Sequence, residues 1–276
     1  MAIQWFPGHM AGARKKAAET MAQIDVVIEV LDARLPHASA NPLVEQLRRE
    51  RQRPCLKLLN KADLADPAAS AAWVRQLGKE KGVTALAISS KRAADVAKVP
   101  RLAAALVPHR DGKSVCMMVM GAPNVGKSTL VNALLKRKAA PTGDEPAITR
   151  AQTRFQLGDG NELIDTPGLM STSLPNAHDA FLLAAGHLIG PESYANEDVP
   201  AFLADLLAAR YPGLLRTRYD LGAGPLDGHA VISAIAQKRG YLRKGGKPDL
   251  EKAGRALMRD FRSGLLGRIT LETPEG

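Results

Sequence analysis

Up to about Asp165 the apolar residues come in short dense runs, and beyond Ser173 they are spaced at helical intervals. The first run, Ile24 to Leu31, is β-branched and almost unbroken, which predicts a buried parallel strand. Pro54–Leu59, Val83–Ile88 and Val115–Met120 repeat the pattern. Helical stretches are expected between them: Asn41-Pro42 to about Arg49, Asp66-Pro67 to about Lys79, Ala93 to Leu106 with Pro108 closing it, and Lys127 to about Lys136. Asp66-Pro67 is a strong start signal, a capping side chain followed by a first-turn proline. Residues 139–152 carry Pro, Gly and Thr without periodicity, and a mobile loop is expected there. Thr153–Leu157 and Glu162–Ile164 flank Gly158-Asp159-Gly160-Asn161, a hairpin signal. Strands alternating with helices, plus one hairpin, predict an α/β fold with a doubly wound, mostly parallel sheet. Beyond it, His178–Ile189, Pro200–Ala209, Gly228–Gln237 and Leu250–Phe261 predict a smaller all-α domain. A boundary near 171–176 divides the chain into 1–173 and 174–276.

The chemistry sits at the ends of the predicted strands. Gly121-Ala122-Pro123-Asn124-Val125-Gly126-Lys127-Ser128 follows the fourth strand and opens a helix, the placement of a phosphate-binding loop. Asn124, Val125, Gly126, Lys127, Ser128 and Thr129 are expected to cradle phosphates. Lys127 would reach the β- and γ-phosphates and Ser128 would ligate magnesium. Asn60-Lys61-Ala62-Asp63 follows the second strand. The Asp63 carboxylate can accept two hydrogen bonds from the N1–H and N2 amino group of guanine, a pair adenine cannot offer. Lys61 would lay its stem along the base and Asn60 would tie the loop to its neighbours. Ser89 and Ser90 end the third strand, where the Ser89 N–H could meet guanine O6.

Asp165-Thr166-Pro167-Gly168 ends the hairpin. There Asp165 is expected to hold magnesium through water and the Gly168 N–H to sense the γ-phosphate. Thr149 is the best placed threonine to ligate magnesium in the triphosphate state only, with Thr142 and Thr153 also within reach. The base motif precedes the phosphate loop, the reverse of the ordinary order, so the sequence looks like a circularly permuted GTPase.

Composition narrows the partners. The formal charge is +10 over 276 residues, which favours a polyanion. No apolar run approaches the roughly 18–20 residues of a membrane span, so nucleic acid is expected and a membrane is not. Arg255, Arg259 and Arg262 fall at i, i+4 and i+7 on one predicted helical face, suited to phosphate backbones. Arg14-Lys15-Lys16 form a second basic helix face. Both faces have a plainer reading as solvated surface. Aromatic content is 4%, which favours recognition of folded RNA by shape over base stacking. Two cysteines, Cys55 and Cys116, lie in strand-like runs and read as buried small hydrophobes, in keeping with a reducing cytoplasm.

The motif order, with Trp5-Phe6-Pro7-Gly8-His9-Met10, Asp32-Ala33-Arg34-Leu35-Pro36 and Asn41-Pro42, resembles the circularly permuted ribosome-assembly GTPases of the RbgA/YlqF group. The resemblance covers the whole nucleotide-binding part, and the C-terminal part in length and helical character. Pro146-Ala147-Ile148-Thr149 departs from it, since that family usually has glycine after the proline. The resemblance implies a GTPase that binds a large ribosomal subunit precursor and its rRNA and leaves after hydrolysis. A monomer is expected.

Leu169 follows Gly168, where many signalling GTPases carry a water-orienting glutamine. A leucine cannot orient water, so slow intrinsic turnover is expected. Two residues could supply the missing help: Asn124, which matches an asparagine that similar GTPases use to hold potassium, and His9, in the motif where the family is thought to use a histidine. The competing readings are a loop-stabilising Asn124 and a surface His9 beside a docked Trp5 and Phe6. A small-subunit assembly GTPase, or an RNA-binding module with a vestigial nucleotide site, is the alternative function. Permuted small-subunit factors typically add a β-barrel or zinc segment, for which this chain has no room. The intact set Lys127, Ser128, Asp165 and Gly168 argues against a vestigial site.

Overall fold

The computed structural model describes residues 10–140, 152–169, 176–190 and 198–274. Helix α1 (Met10–Met21) leads into β1 (Val26–Asp32), which is buried at all seven positions. Its side chains alternate between two cores. Val26, Ile28 and Val30 enter one cluster and Val27 the other, so neither face is wet and no polar alternation is visible in the sequence.

The chain continues through α2 (Pro42–Glu50), β2 (Cys55–Asn60), α3 (Pro67–Leu77) and β3 (Val83–Ala87). Asn41 and Asp66 cap α2 and α3 with their side chains, each followed by a first-turn proline. The single helix expected over Ala93–Leu106 is two, α4 (Ala93–Val96) and α5 (Val99–Ala105). Pro100, the second residue of α5, has no N–H with which to continue a helix from α4. Next come β4 (Cys116–Met120), α6 (Lys127–Leu135) and the antiparallel hairpin β5 (Thr153–Gln156) and β6 (Glu162–Asp165).

The six strands lie in the order β3-β2-β1-β4-β6-β5, parallel except for the β5 edge. From β1 the chain builds outward to β2 and β3, then crosses to β4 on the other side of β1. That reversal opens a crevice beyond the carboxyl ends of β1 and β4, where open α/β sheets bind ligands. The register aligns those ends: Asp32 pairs with Asn60, and Val119 with Asp165.

Past the sheet the described residues form the helices α7 (Ala177–Ala185), α8 (Asp198–Arg210), α9 (Pro212–Tyr219), α10 (Gly228–Lys238) and α11 (Leu250–Ser263), with one isolated bridge between Leu242 and Pro248. Helix α9 is not among the expected helices, because its Gly-Leu-Leu-Arg-Thr-Arg run is short and weakly amphipathic. The expected loop at 139–152 and boundary at 171–176 fall largely on 141–151 and 170–175, outside the described residues.

After Gly264 caps α11, residues 264–272 return to the sheet. Ile269 N–H donates to Leu64 O at 2.9 Å, Leu271 N–H to Arg34 O at 2.6 Å, and Trp73 Nε1–H to Glu272 O at 3.1 Å. Leu182, Leu203, Leu257 and Phe261 share a continuous apolar cluster with Ile28, Leu56 and Val119.

Candidate nucleotide-binding site

Five strand ends, those of β1, β2, β3, β4 and β6, meet at the crevice. From β4, Gly121–Ser128 wraps into the N-terminus of α6, where the helix dipole favours an anion. Gly126 has φ +98°, and a Cβ there would strike Asn60 Nδ2, so the loop can sit this close to β2 only with glycine. A Cβ on Gly168 would come within 2.9 Å of Pro123, which places the Asp165–Gly168 turn directly against the phosphate loop.

Asn60 fastens three segments. Its Nδ2 donates to Val125 O at 2.8 Å, and its Oδ1 accepts from the Ser90 N–H at 2.9 Å and the Ser90 hydroxyl at 2.8 Å. Lys61 Nζ donates to Asn124 O at 2.7 Å and to Asp32 Oδ2 at 2.8 Å. Asp63 keeps its side chain 32% exposed, with Lys91 Nζ at 3.9 Å. A carboxylate this open is accessible to a ligand.

The expectation for Ser89 is corrected. Its N–H donates to Asp95 Oδ2 at 3.0 Å, and the Ser90 N–H is held by Asn60, so neither points a spare donor at a base. Among the described residues the Lys91 N–H has only a long bond to Ser89 Oγ, at 3.4 Å. Asp95 lies in α4, a turn that a strand-end motif alone does not reveal.

Lys127 and Asp165 are both buried. Lys127 Nζ donates to Ala122 O at 2.6 Å, and Asp165 Oδ1 has no hydrogen-bond partner among the described residues. Burial pushes the Lys127 pKa down and the Asp165 pKa up, each partly offset by the charge of the other. Burying two ionisable groups in this way costs free energy. Phosphates beside Lys127 and a cation beside Asp165 would relieve both. An orphaned carboxylate oxygen of this kind fits magnesium, which Ser128 would ligate and Asp165 would hold through water. The metal would spread and neutralise phosphate charge. Thr166 Oγ1–H donates to Val119 O at 2.7 Å and fixes the turn that carries Asp165.

Asn124 Nδ2 donates to His187 O at 2.9 Å, a bond from the phosphate loop to the second residue past α7. Thr129 is exposed at the start of α6. Leu169 is buried in the cluster with Val27, Val44 and Met120. Its N–H donates to Gly121 O at 3.1 Å, and its carbonyl accepts from Asn41 Nδ2 at 2.9 Å. A side chain packed there has no access to an attacking water. His9 and Thr149 lie outside the described residues.

Sequence reasoning gave no role to the group that joins these parts. Asp32, fully buried at the end of β1, accepts from Arg34 Nε at 2.9 Å and Nη2 at 2.7 Å as well as from Lys61. Burial alone would raise the Asp32 pKa. The charges of Arg34 and Lys61 outweigh it and hold the carboxyl well below the usual range. Arg34 is 2% exposed; its guanidinium lies 5.1 Å over the Phe261 ring and reaches Gly186 O at 3.4 Å. The Asp-Ala-Arg triplet was visible in the sequence, but nothing local pointed to Lys61 or Phe261.

A doubly wound sheet with a phosphate loop, a guanine-type base motif and an Asp-Thr-Pro-Gly turn around one crevice defines a P-loop GTPase. A family profile described as 50S ribosome-binding GTPase matches residues 116–204. Ribosome biogenesis GTPase A of Bacillus cereus is 37% identical, covering 100% of this chain and 95% of the relative. Mitochondrial ribosome-associated GTPase 1 of Ictalurus punctatus is 33% identical over 97% of this chain and 92% of its own. A solved structure of GDP-bound YlqF matches 95% of this chain and 100% of its own with a TM-score of 0.69 at 23% identity, which speaks for the fold. The chain belongs to the ribosome biogenesis GTPase A family and is a GTPase, hydrolysing GTP to GDP and phosphate.

Proposed function

We propose that the protein is an assembly factor that binds rRNA in a late large-subunit precursor and departs after GTP hydrolysis. The observation that carries this reading is the full-length likeness to GTPases named for ribosome biogenesis, helical part included. The description of the matched profile as 50S ribosome-binding favours the large subunit. In this reading the GTPase fold is circularly permuted, with 1–173 as the GTPase domain and 174–276 as the RNA-binding domain. The return of residues 264–272 to the sheet then makes them a functional part of the first.

Asp63 reads the N1–H and N2 amino group of guanine, Lys61 flanks the base, and the Lys91 N–H replaces that of Ser89 as the donor for O6. Lys127 and the N–H groups of Asn124–Thr129 hold the phosphates. Ser128 and Asp165 hold magnesium, joined by Thr149 in the triphosphate state, and the Gly168 N–H meets the γ-phosphate. With Leu169 packed in the core, help for hydrolysis comes from potassium at Asn124 or from His9. Slow intrinsic turnover, stimulation by ribosomal particles, a monomeric state and a cytoplasmic location belong to the same reading.

The basic face assigned to α11 is reduced. Arg262 donates to Ala185 O at 2.9 Å and Ala184 O at 2.7 Å, capping the last turn of α7, so it holds the fold together. Arg255 and Arg259 remain exposed, alongside Arg243, Lys244 and Lys247, and these five supply the RNA contact. Sedimentation with ribosomal particles tests the proposal. Co-migration with 50S precursors in a non-hydrolysable GTP analogue and release in GDP are expected. Association with 30S particles alone would overturn it.

A further inference from the structure

The base-reading loop is strained and is held from behind by the far end of the chain. Lys61 sits at φ +61°, a left-handed conformation that costs a non-glycine residue on the order of 1 kcal/mol and persists only where the surroundings over-determine it. On the sheet side the Ala62 N–H donates to Ile88 O at 3.0 Å. On the other side three carbonyls of the loop accept from residues 268–269. Arg268 Nη2 donates to Ala62 O at 2.8 Å, Arg268 Nε to Ala65 O at 2.9 Å, and the Ile269 N–H to Leu64 O at 2.9 Å. The Asp66 N–H then donates to Thr270 Oγ1 at 3.1 Å.

The segment that makes these bonds is itself anchored. Ile269, Thr270 and Leu271 are buried, Tyr211 Oη–H donates to Thr270 O at 2.9 Å, and the Glu272 carboxylate accepts from the His37 and Ala38 N–H groups at 2.8 and 3.0 Å. Gly264 lies so close to Leu64 that a Cβ would come within 2.7 Å of Cδ2. The strap therefore cannot slide independently of the loop.

We propose that Arg268 is a positioning residue for guanine recognition. Its guanidinium spans Ala62 O and Ala65 O and so fixes where Asp63, between them in sequence, presents its carboxylate. The inference rests on Asp63 reading the base. A planar fork with parallel N–H donors can bridge two carbonyls, whereas an ammonium serves as a point donor. Arg268 contacts no phosphate-loop residue through its described hydrogen bonds and braces the carbonyls on either side of Asp63, so its effect is expected to fall first on the base.

The test compares GTP with inosine triphosphate, which lacks the N2 amino group, by titration calorimetry on the full chain. In the wild type, two-point recognition by Asp63 makes GTP the tighter ligand. In Arg268→Ala, GTP affinity is expected to fall about tenfold, as for loss of hydrogen bonds to a charged group, while inosine triphosphate loses less. The preference ratio therefore shrinks. A purely structural role would weaken both nucleotides equally, leaving the ratio unchanged, and that result overturns the proposal. Arg268→Lys keeps charge and bulk, and is expected to recover only part of the ratio. Full recovery would overturn the two-carbonyl bridge. Asp63→Asn runs in parallel. If it abolishes the GTP preference while Arg268→Ala leaves it intact, this inference fails and the base assignment stands. If Asp63→Asn also leaves it intact, the base assignment itself has failed.

Discussion

Replacing Arg34 by methionine is expected to be among the most damaging single changes to the apo protein. Arg34 and Asp32 are 2% and 0% exposed, and their bidentate contact at 2.7 and 2.9 Å is the main compensation for burying the carboxylate. Methionine fills much of the volume over Phe261 but leaves Asp32 with Lys61 Nζ, at 2.8 Å, as its one charged partner among the described residues. Stranding one member of a buried pair costs about 3–5 kcal/mol, and the surviving Lys61 contact argues for the lower end, about 3 kcal/mol. For a domain of this size that corresponds to a fall in Tm on the order of 10 °C. The measurement is urea denaturation at pH 7 followed by circular dichroism, on Arg34→Met, Asp32→Asn and the double variant. Because the double variant removes the buried charge as well as its partner, it is expected to be more stable than Arg34→Met alone. A loss below about 1 kcal/mol for Arg34→Met, or strictly additive single effects, would refute the reasoning.

Three further outcomes are expected. Burial pushes the Glu272 carboxyl from 4.5 up to about 7. A raised folded pKa stabilises below the unfolded value, and that contribution disappears as pH rises through about 7. Stability of the wild type relative to Glu272→Gln should therefore decline by up to about 3 kcal/mol between pH 4.5 and 7.5 in parallel denaturation series, and a flat difference would contradict it. GTP turnover should be slow in sodium, faster in potassium and faster again with large-subunit particles, with Asn124→Ala removing the potassium effect; fast turnover in sodium alone would refute this. Arg255→Ala/Arg259→Ala should weaken binding to large-subunit particles and flatten its salt dependence by about two units of slope while sparing GTP binding. An unchanged slope would move the RNA contact to the Arg14-Lys15-Lys16 face.

The sheet was legible because each inner strand is buried on both faces and is therefore written as an unbroken apolar run, bounded by a proline or a motif. The nucleotide site was legible for a related reason. Its chemistry sits in contiguous segments that the parallel topology delivers to one edge, so Asn60–Asp63, Gly121–Ser128 and Asp165–Gly168 could each be read locally. What escaped were contacts between segments. Helical spacing placed Arg262 on the face of Arg255 and Arg259, but spacing says nothing about a neighbouring helix end, and the carbonyls of Ala184 and Ala185 claim it. Ser89 was at the right strand end, yet Asp95 takes its N–H. Arg268 meets Ala62 across 206 positions of sequence, and no periodicity or motif marks such a pair.

The strap also has a consequence for how the protein is made. A chain synthesised from its N-terminus exposes Asn60–Asp63 early, with Lys61 in its left-handed turn still lacking the bonds that hold it. The phosphate loop follows, and these parts can pair as a sheet while the remainder is being translated. Arg268 and Ile269 reach the loop only after α7 to α11 have been made. A nascent chain would thus carry a phosphate-binding loop before it carried a finished guanine reader. Selectivity between purines would be acquired last, as the newly made protein closes its own far end over the loop.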